Sequence, residues 1–501
     1  MFIGIIDGII NVFNIYTIFF ILIGTIIGII IGAIPGLGSC VGIALLLPVT
    51  FFMDPATGLC MLGAIYGGTV YGGSISAILL CTPGTSASVA TSWDGYPMTE
   101  KGLGGEALGI ATFSSYLGGT FGSLCLLLIA PPLAAFAIKF GPPERFMLAI
   151  FGLSVIISVS SKSLLKGLIA GSFGLFLSSI GLDPITGNLR FTFNILYLYE
   201  GIPLVPALVG LFSVSQAFDI IGQEKKQTAL GNIQKKIKGS VIPTLEDFKK
   251  IKNTIIHSSV IGTIIGIIPG AGTSIGAFVG YSEAKRISKN PEDFGKGSIE
   301  GVAGAEAANN AVVGGSLVPL LTLGIPGNAA SAVFLGGLLI HGLIPGPDLF
   351  TKHATITYTL MISLLVANFA MLIFGIVWAK TFAKVANVTS NILAPLIIVF
   401  SSIGSYSIRG NIFDIFIMFI FSLLGYFMKK TDFPRAPILL ALILGPIAER
   451  ELIRTIVIFG GNIFGIFIRP IFVVLILLTI LSLTYPLFIQ KSKIGNIKQK
   501  H

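Results

Sequence analysis

A glycine–proline pattern occurs twice in this chain. The first copy runs Gly28, Gly32, Pro35, Gly36, Gly38, Gly42, and the second runs Gly262, Gly266, Pro269, Gly270, Gly272, Gly276. Each member of the second copy follows its counterpart by the same 234 residues. Another pattern trails each copy. Gly72-Gly73-Ser74 leads to Pro83-Gly84-Thr85, and Gly314-Gly315-Ser316 leads to Pro326-Gly327-Asn328, offset by 242 residues at the serine and 243 at the proline. Proline removes a helix donor and clashes with the preceding turn, while glycine lets the chain turn sharply. The chain therefore reads as two related halves, each with two interrupted segments. In an apolar chain such paired interruptions point to a transporter with its site between the repeats.

The chain is apolar throughout. Charged residues are 11% of the 501, against about 25% in soluble domains, and the mean hydropathy is +0.92. Runs long enough to cross a bilayer recur at 16–34, 107–130, 255–268, 358–379, 412–428 and 471–489. They are continuous rather than alternating, which argues against a β-barrel. The expected fold is an all-α polytopic membrane protein with two inverted structural repeats, broken or re-entrant helices and roughly 10 to 14 membrane segments. Residues 1–222 form the first membrane repeat, 223–254 a basic linker, 255–430 the second repeat, and 431–501 further membrane segments with a basic tail. The first segment has no basic stretch before it and reads as retained rather than as a signal peptide.

The net charge of +10 is localised. Lys225, Lys226, Lys235, Lys236, Lys238, Lys249, Lys250 and Lys252 crowd the linker, and Lys491, Lys493, Lys498 and Lys500 the tail. The positive-inside rule puts both in the cytoplasm of a protein of the cell (inner) membrane. Contact with anionic lipid accounts for the charge, and nucleic-acid binding is not expected, because no basic aromatic-rich domain exists to carry it. No Lys or Arg occurs in 1–100 or 297–351. By contrast, 255–281 has basic residues on both sides, the linker before it and Lys285, Arg286, Lys289 and Lys296 after it. A hairpin entering and leaving on one face explains this, with Pro269-Gly270-Ala271-Gly272 at its tip. Its counterpart at 16–52 has no basic flank, which fits a hairpin opening to the opposite face; two plain crossings fit that copy as well.

Broken helices at membrane depth expose N–H and C=O groups that only protein, water, ion or substrate can satisfy. Half-helix N-termini suit carboxylates, while half-helix C-termini and unwound carbonyls suit a cation. The candidate substrate-binding residues are Pro35, Gly36, Gly38, Ser39, Ser74, Thr82, Pro83, Gly84, Thr85 and Ser86 in the first half. In the second they are Pro269, Gly270, Gly272, Thr273, Ser274, Pro326, Gly327 and Asn328. The competing reading is packing: Gly24-Gly28-Gly32-Gly36 and Gly262-Gly266-Gly270 are also small-residue ladders, and each hydroxyl could bond back to its own helix. Glu306, Asn309 and Asn310 share a helix face in an apolar segment, which is costly without partners. They are candidates, with Ser316 and Thr322, to hold a coupling cation (sodium or proton); an interhelical clamp is the alternative. The first half has Gly67 and Gly68 at the positions of Asn309 and Asn310.

An enzyme is not expected. Gly272-Thr273-Ser274-Ile275-Gly276 matches the short nucleophile-elbow pattern, but that motif needs a strand-to-helix turn in an α/β sheet. No zinc motif and no phosphate-binding loop ending in Lys is present, so neither a metal nor a cofactor is expected. Cys40, Cys60, Cys81 and Cys125 lie in apolar stretches without paired spacing and read as small core residues.

Several motifs carry a resemblance. Tyr71-Gly72-Gly73-Ser74 to Pro83-Gly84-Thr85, Asp94-Gly95-Tyr96-Pro97, Gly141-Pro142-Pro143-Glu144, Glu306 to Asn310, Leu323-Gly324-Ile325-Pro326-Gly327, His341 to Pro347, and Leu444-Gly445-Pro446 with Glu449 recur along residues 15–480. Together they resemble the large membrane subunit of the tripartite tricarboxylate transporters. The resemblance implies a secondary carboxylate importer that works with a small membrane subunit and an extracytoplasmic solute-binding protein, driven by a sodium or proton gradient. One departure is Cys81, where a polar amide is expected before Thr-Pro-Gly; a side-chain contact there would alter substrate preference. A carboxylate channel without coupling, and a scaffold, are the rival classes. The region after Asn387, with Arg409, Arg435 and Arg469, has no repeat partner and reads as scaffold, as the surface of a homodimer, or as the contact for the small subunit. An arginine there either meets a carboxylate or anchors a loop.

Overall fold

The computed structural model describes residues 2–160, 163–183, 186–222, 241–385, 390–460 and 463–498. Lys225, Lys226, Lys235, Lys236, Lys238 and Lys500, expected to be cytoplasmic, lie outside the described residues. Nineteen helices run through the described chain. The first half holds α1 (Phe2–Val12), α2 (Ile15–Ala33), α3 (Gly38–Thr50), α4 (Pro55–Leu80), α5 (Val89–Glu100), α6 (Gly104–Ala137), α7 (Pro142–Ser160), α8 (Leu164–Ser178) and α9 (Leu204–Ile221). The second holds α10 (Leu245–Ile267), α11 (Gly272–Ile287), α12 (Ile299–Leu323), α13 (Ala329–Ile340), α14 (Pro347–Thr351) and α15 (Ala354–Val385). Then come α16 (Ser390–Arg409), α17 (Ile412–Lys430), α18 (Ala436–Ile458) and α19 (Pro470–Lys498). The strands described are two residues each, Gly181–Leu182 paired antiparallel with Leu189–Arg190. Among the described residues, seven helices are long and apolar enough to cross a membrane, and four shorter apolar helices join them. The expected linker boundary at 254 falls inside α10, so Lys249, Lys250 and Lys252 are exposed positions on its first turns.

Each half is organised around one long, largely apolar helix that is buried on nearly all sides. In the first half it is α4, in the second α12, where every residue from Gly301 to Thr322 is buried. Asp54 starts α4 by accepting the N–H groups of Ala56 and Thr57 at 3.1 and 3.2 Å, with Pro55 in the first turn. A hairpin lies along each long helix: α2 and α3 on α4, α10 and α11 on α12. The contact is made by glycine. A Cβ at Gly24, Gly28 or Gly32 would stand 2.7, 2.7 or 2.2 Å from the carbonyl oxygens of Met61, Ile65 and Thr69. One at Gly262 or Gly266 would stand 2.2 or 2.8 Å from those of Ala308 and Val312. The packing reading of the ladders is thus the right one for these positions.

The halves brace each other crosswise. Helix α12 packs on α6, where Gly118 and Gly122 admit the Ala307 and Ala311 carbonyls, while α4 packs on α15, with Gly63 against Leu364. Asp94 on α5 ties the halves further. Its Oδ1 accepts the N–H groups of Gly295, Gly297 and Ser298, each at 2.8 Å, and its Oδ2 accepts the Tyr281 hydroxyl at 2.8 Å. Outside this core, α16 and α17 turn Phe400, Ile403, Phe416, Leu423 and Phe427 outward. Such a belt of exposed apolar side chains suits acyl chains.

Candidate functional site

The two hairpin tips are built alike, residue by residue. Ile34 and Ile268 leave the helix in extended conformation, and Leu37 and Ala271 re-enter it. Between them Gly36 and Gly270 have φ of +88° and +83°, and just after them Gly38 and Gly272, the first residues of the next helices, have +65° and +73°. Left-handed backbone at these positions favours glycine, which fits the motif's keeping them in register. Each long helix also ends alike, in a left-handed cap, at Cys81 (φ 53°) in the first half and Gly324 (φ 73°) in the second. The Cys81 side chain is exposed, and the cap sets a backbone angle at this position that an amide such as Asn also tolerates.

The breaks then nest. A Cβ at Gly84 would lie 1.9 Å from the Gly32 carbonyl, and one at Gly327 would lie 2.7 Å from the Gly266 carbonyl. Gly270 N–H donates to the Gly327 carbonyl at 2.9 Å. Across the halves, Ser86 and Ser274 share a hydroxyl hydrogen bond of 2.7 Å. The Asn328 amide donates to the Tyr66 hydroxyl at 2.6 Å, which also meets Ser316 at 3.2 Å.

A cavity of about 470 Å³ opens where these tips meet. Its walls include Gly36, Gly38, Ser39, Thr85, Ser86, Gly272, Thr273, Ser274 and Asn328, drawn from both halves, together with Phe212, Gln216 and Arg435. Four helices of eight residues or more, α3, α11, α13 and α18, begin at this cavity. Their unpaired N–H groups and dipoles make the walls electropositive. No Asp or Glu is among the lining residues. The Arg435 Nη1 donates to the Leu211 carbonyl at 3.1 Å and to Ser215 Oγ at 2.9 Å, and the guanidinium lies 5.3 Å from the Phe212 ring centre. Among the described residues it has no carboxylate within ion-pair distance. The Leu211 carbonyl lies in a π-helical turn of α9, Gly210–Val214, which widens the helix beside the cavity.

Other expected site residues stand elsewhere. Pro35, Pro83, Pro269 and Pro326 shape the breaks, and Gly84, Gly270 and Gly327 fasten them; none lines the cavity. Ser74 bonds back to the Tyr71 carbonyl at 2.6 Å and Thr82 to that of Leu80 at 3.1 Å, so neither hydroxyl faces it. Thr322 bonds back to Val318 and lines a different cavity. Glu306, Asn309 and Asn310 sit deep in α12, at 0 to 1% exposure. Glu306 accepts hydroxyls from Thr91 on α5 and, at 2.8 Å, from Ser115 on α6, and has no basic partner among the described residues. The Asn310 amide donates to the Glu306 carbonyl at 3.1 Å, while Asn310 Oδ1, both polar atoms of the Asn309 side chain and Ser114 Oγ are buried without partners.

The profile of the tripartite tricarboxylate transporter TctA family matches residues 18–440. The chain belongs to the TctA family. Its relatives include an uncharacterised 52.8 kDa protein from the TAR-I ttuC′ 3′ region of Agrobacterium vitis, 39% identical over 449 residues, covering 90% of this chain and 89% of that one. A second, from the TAR-II ttuC′ 3′ region of the same organism, is 38% identical over 201 residues, 40% of this chain and 83% of that one. No solved structure matches. TctA proteins are membrane subunits of tripartite tricarboxylate transporters, which also contain a binding protein and a small membrane subunit. This chain is therefore a multi-pass transporter subunit, and its family is one of transporters rather than enzymes.

Arg435, Gln216 and Phe212 are the wall residues that the TctA motifs did not single out as a site. Arg435 sits in a basic, proline-containing turn that reads like a loop anchor, and only the folded chain brings it to the tips.

Proposed function

We propose that this TctA chain imports di- or tricarboxylates, coupled to a sodium or proton gradient, across the inner membrane with the linker and tail cytoplasmic. The observation that carries the reading is the cavity at the tips: four helix N-termini, a ring of hydroxyls and one guanidinium, with no carboxylate to oppose an anion. Arg435 takes one substrate carboxylate in a fork; Ser39, Thr273, Ser274 and Asn328 and the free N–H groups take the rest. Glu306 is the cation carrier. A carboxylate in a dry helix core without a basic partner is stable only when it holds a proton or a cation. Asn309 and the Asn310 oxygen, otherwise unsatisfied, serve the same cation.

The halves are inverted in this reading. The first hairpin opens at Thr50, beside Gly58 and His341, whereas the second opens among the exposed lysines of α10 and Lys285 and Arg286. Motion of the tips against each other then alternates access to the cavity. The test is uptake of labelled di- and tricarboxylates into vesicles holding this chain with its small subunit and binding protein, under sodium, proton or no gradient. Accumulation that needs one gradient and falls at least about a hundredfold in Glu306→Gln supports the reading, since the variant removes several kcal/mol of charge stabilisation. Flux that only equilibrates the solute would identify a channel.

A further inference from the structure

A second cavity, of about 520 Å³, lies on the other side of the α12–α13 break. Thr322, Leu323, Gly324 and Ile325 line it, while Asn328, Ala329 and Ala330 line the first. The five residues between the two helices, Gly324 to Asn328, thus form the septum between the two. Helix α18 links them as well: it begins at the first cavity with Arg435 and reaches the second from Leu444 to Arg454. The rise of an α-helix puts Arg450 roughly 22 Å along the axis from Arg435.

The second cavity is also lined by cations. Arg145 on α7 and Arg450 and Arg454 on α18 stand around it with two carboxylates, Asp348 and Glu451. Those carboxylates are already engaged: Asp348 pairs with Lys352 at 2.8 Å, and Glu451 Oε1 accepts from Arg454 at 3.0 Å. Arg145 donates its Nε to the Phe140 carbonyl at 3.2 Å and has no ion pair among the described residues. Arg450 has neither a hydrogen bond nor an ion pair among them. Two guanidiniums are left with forks free. Glu451 is 5% exposed, and its Oε2 is buried without a partner. That oxygen needs a donor, which a hydroxyl or a protonated carboxyl of a guest supplies.

We infer that this cavity is a second polycarboxylate-binding site, a waiting position one septum away from the central one. Arg145 and Arg450 each take a carboxylate of the same guest in a fork, which selects anions with at least two. The carboxylate identity of the guest rests on the function proposed above; the anion site itself rests on the arginines.

Equilibrium binding of labelled citrate and, separately, labelled sulfate to the full chain in lipid nanodiscs tests it. Two citrates per chain are expected. R145Q/R450Q should leave one, R435Q should leave the other, and R145K/R450K should keep both with the second weakened several-fold. In uptake assays R145Q/R450Q should raise the KM for citrate about tenfold and leave Vmax near the parent value. Unchanged stoichiometry and affinity in R145Q/R450Q would overturn the inference. If no di- or tricarboxylate of a labelled panel that includes citrate binds but sulfate does, and R145Q/R450Q abolishes it, the carboxylate function fails while the anion site stands.

Discussion

Arg435 is the residue on which carboxylate recognition turns. Its guanidinium is partly desolvated, held by Leu211 and Ser215, and has no ion-paired carboxylate among the described residues. Removing the charge leaves the guest's carboxylate without a countercharge in a low-dielectric cavity, a loss of about 3 kcal/mol. Arg435→Gln should therefore reduce carboxylate uptake about a hundredfold, and Arg435→Lys should restore only part, because a lysine cannot fork. Asp94 is the opposite case, a buried carboxylate with four donors from the other half. Asp94→Ala strands three backbone N–H groups and a tyrosine hydroxyl, so a stability loss of about 3–5 kcal/mol is expected, read as a lowered unfolding temperature in detergent. The glycines divide in the same way. Ala at Gly84 or Gly327 meets a carbonyl at 1.9 or 2.7 Å and should destabilise by about 1–3 kcal/mol or more. Ala at Gly67, in mid-helix with nothing within 4 Å, should be neutral or stabilise by up to about 1 kcal/mol.

At the scale of elements, the broken segments were readable because interruption leaves a local mark. Pro269 and Gly270 stop α10 wherever α10 lies, and the same spacing in another place predicts the same turn; the paired φ values of the two tips bear this out. Buried polar groups were readable as anomalies, which is how Glu306 and Asn309 stand out of an alanine-rich helix. What the element cannot report is its neighbour. Nothing near Arg435 in sequence distinguishes a cavity wall from a loop anchor, and Ser74 and Ser274 look alike until one bonds back to its helix and the other meets Ser86. The Ser86–Ser274 contact offers a direct test of tip movement. Cysteines at both positions, with the four native ones replaced, should cross-link on mild oxidation and block uptake, and reductant should restore it. Uptake that persists in the cross-linked chain would show that these tips stay together throughout the cycle.

Across the whole molecule, the notable arrangement is the crossed bracing of α4 by α15 and of α12 by α6. Each half supplies the support that the other lacks. Neither half, expressed alone, should give a compact, protease-resistant species, whereas the two co-expressed as separate chains cut between Gly222 and Val241 should reassemble and transport. The same geometry sets a timetable for biogenesis. During synthesis, α4 is in place some 300 residues before α15 emerges to cover it, by the spacing of Pro55 and Ala354. Through that interval an incomplete half, with the α15-facing side of α4 uncovered, sits in the bilayer beside the ribosome. A chain built this way depends on lipid or an insertion factor to shelter the unfinished half until its brace arrives.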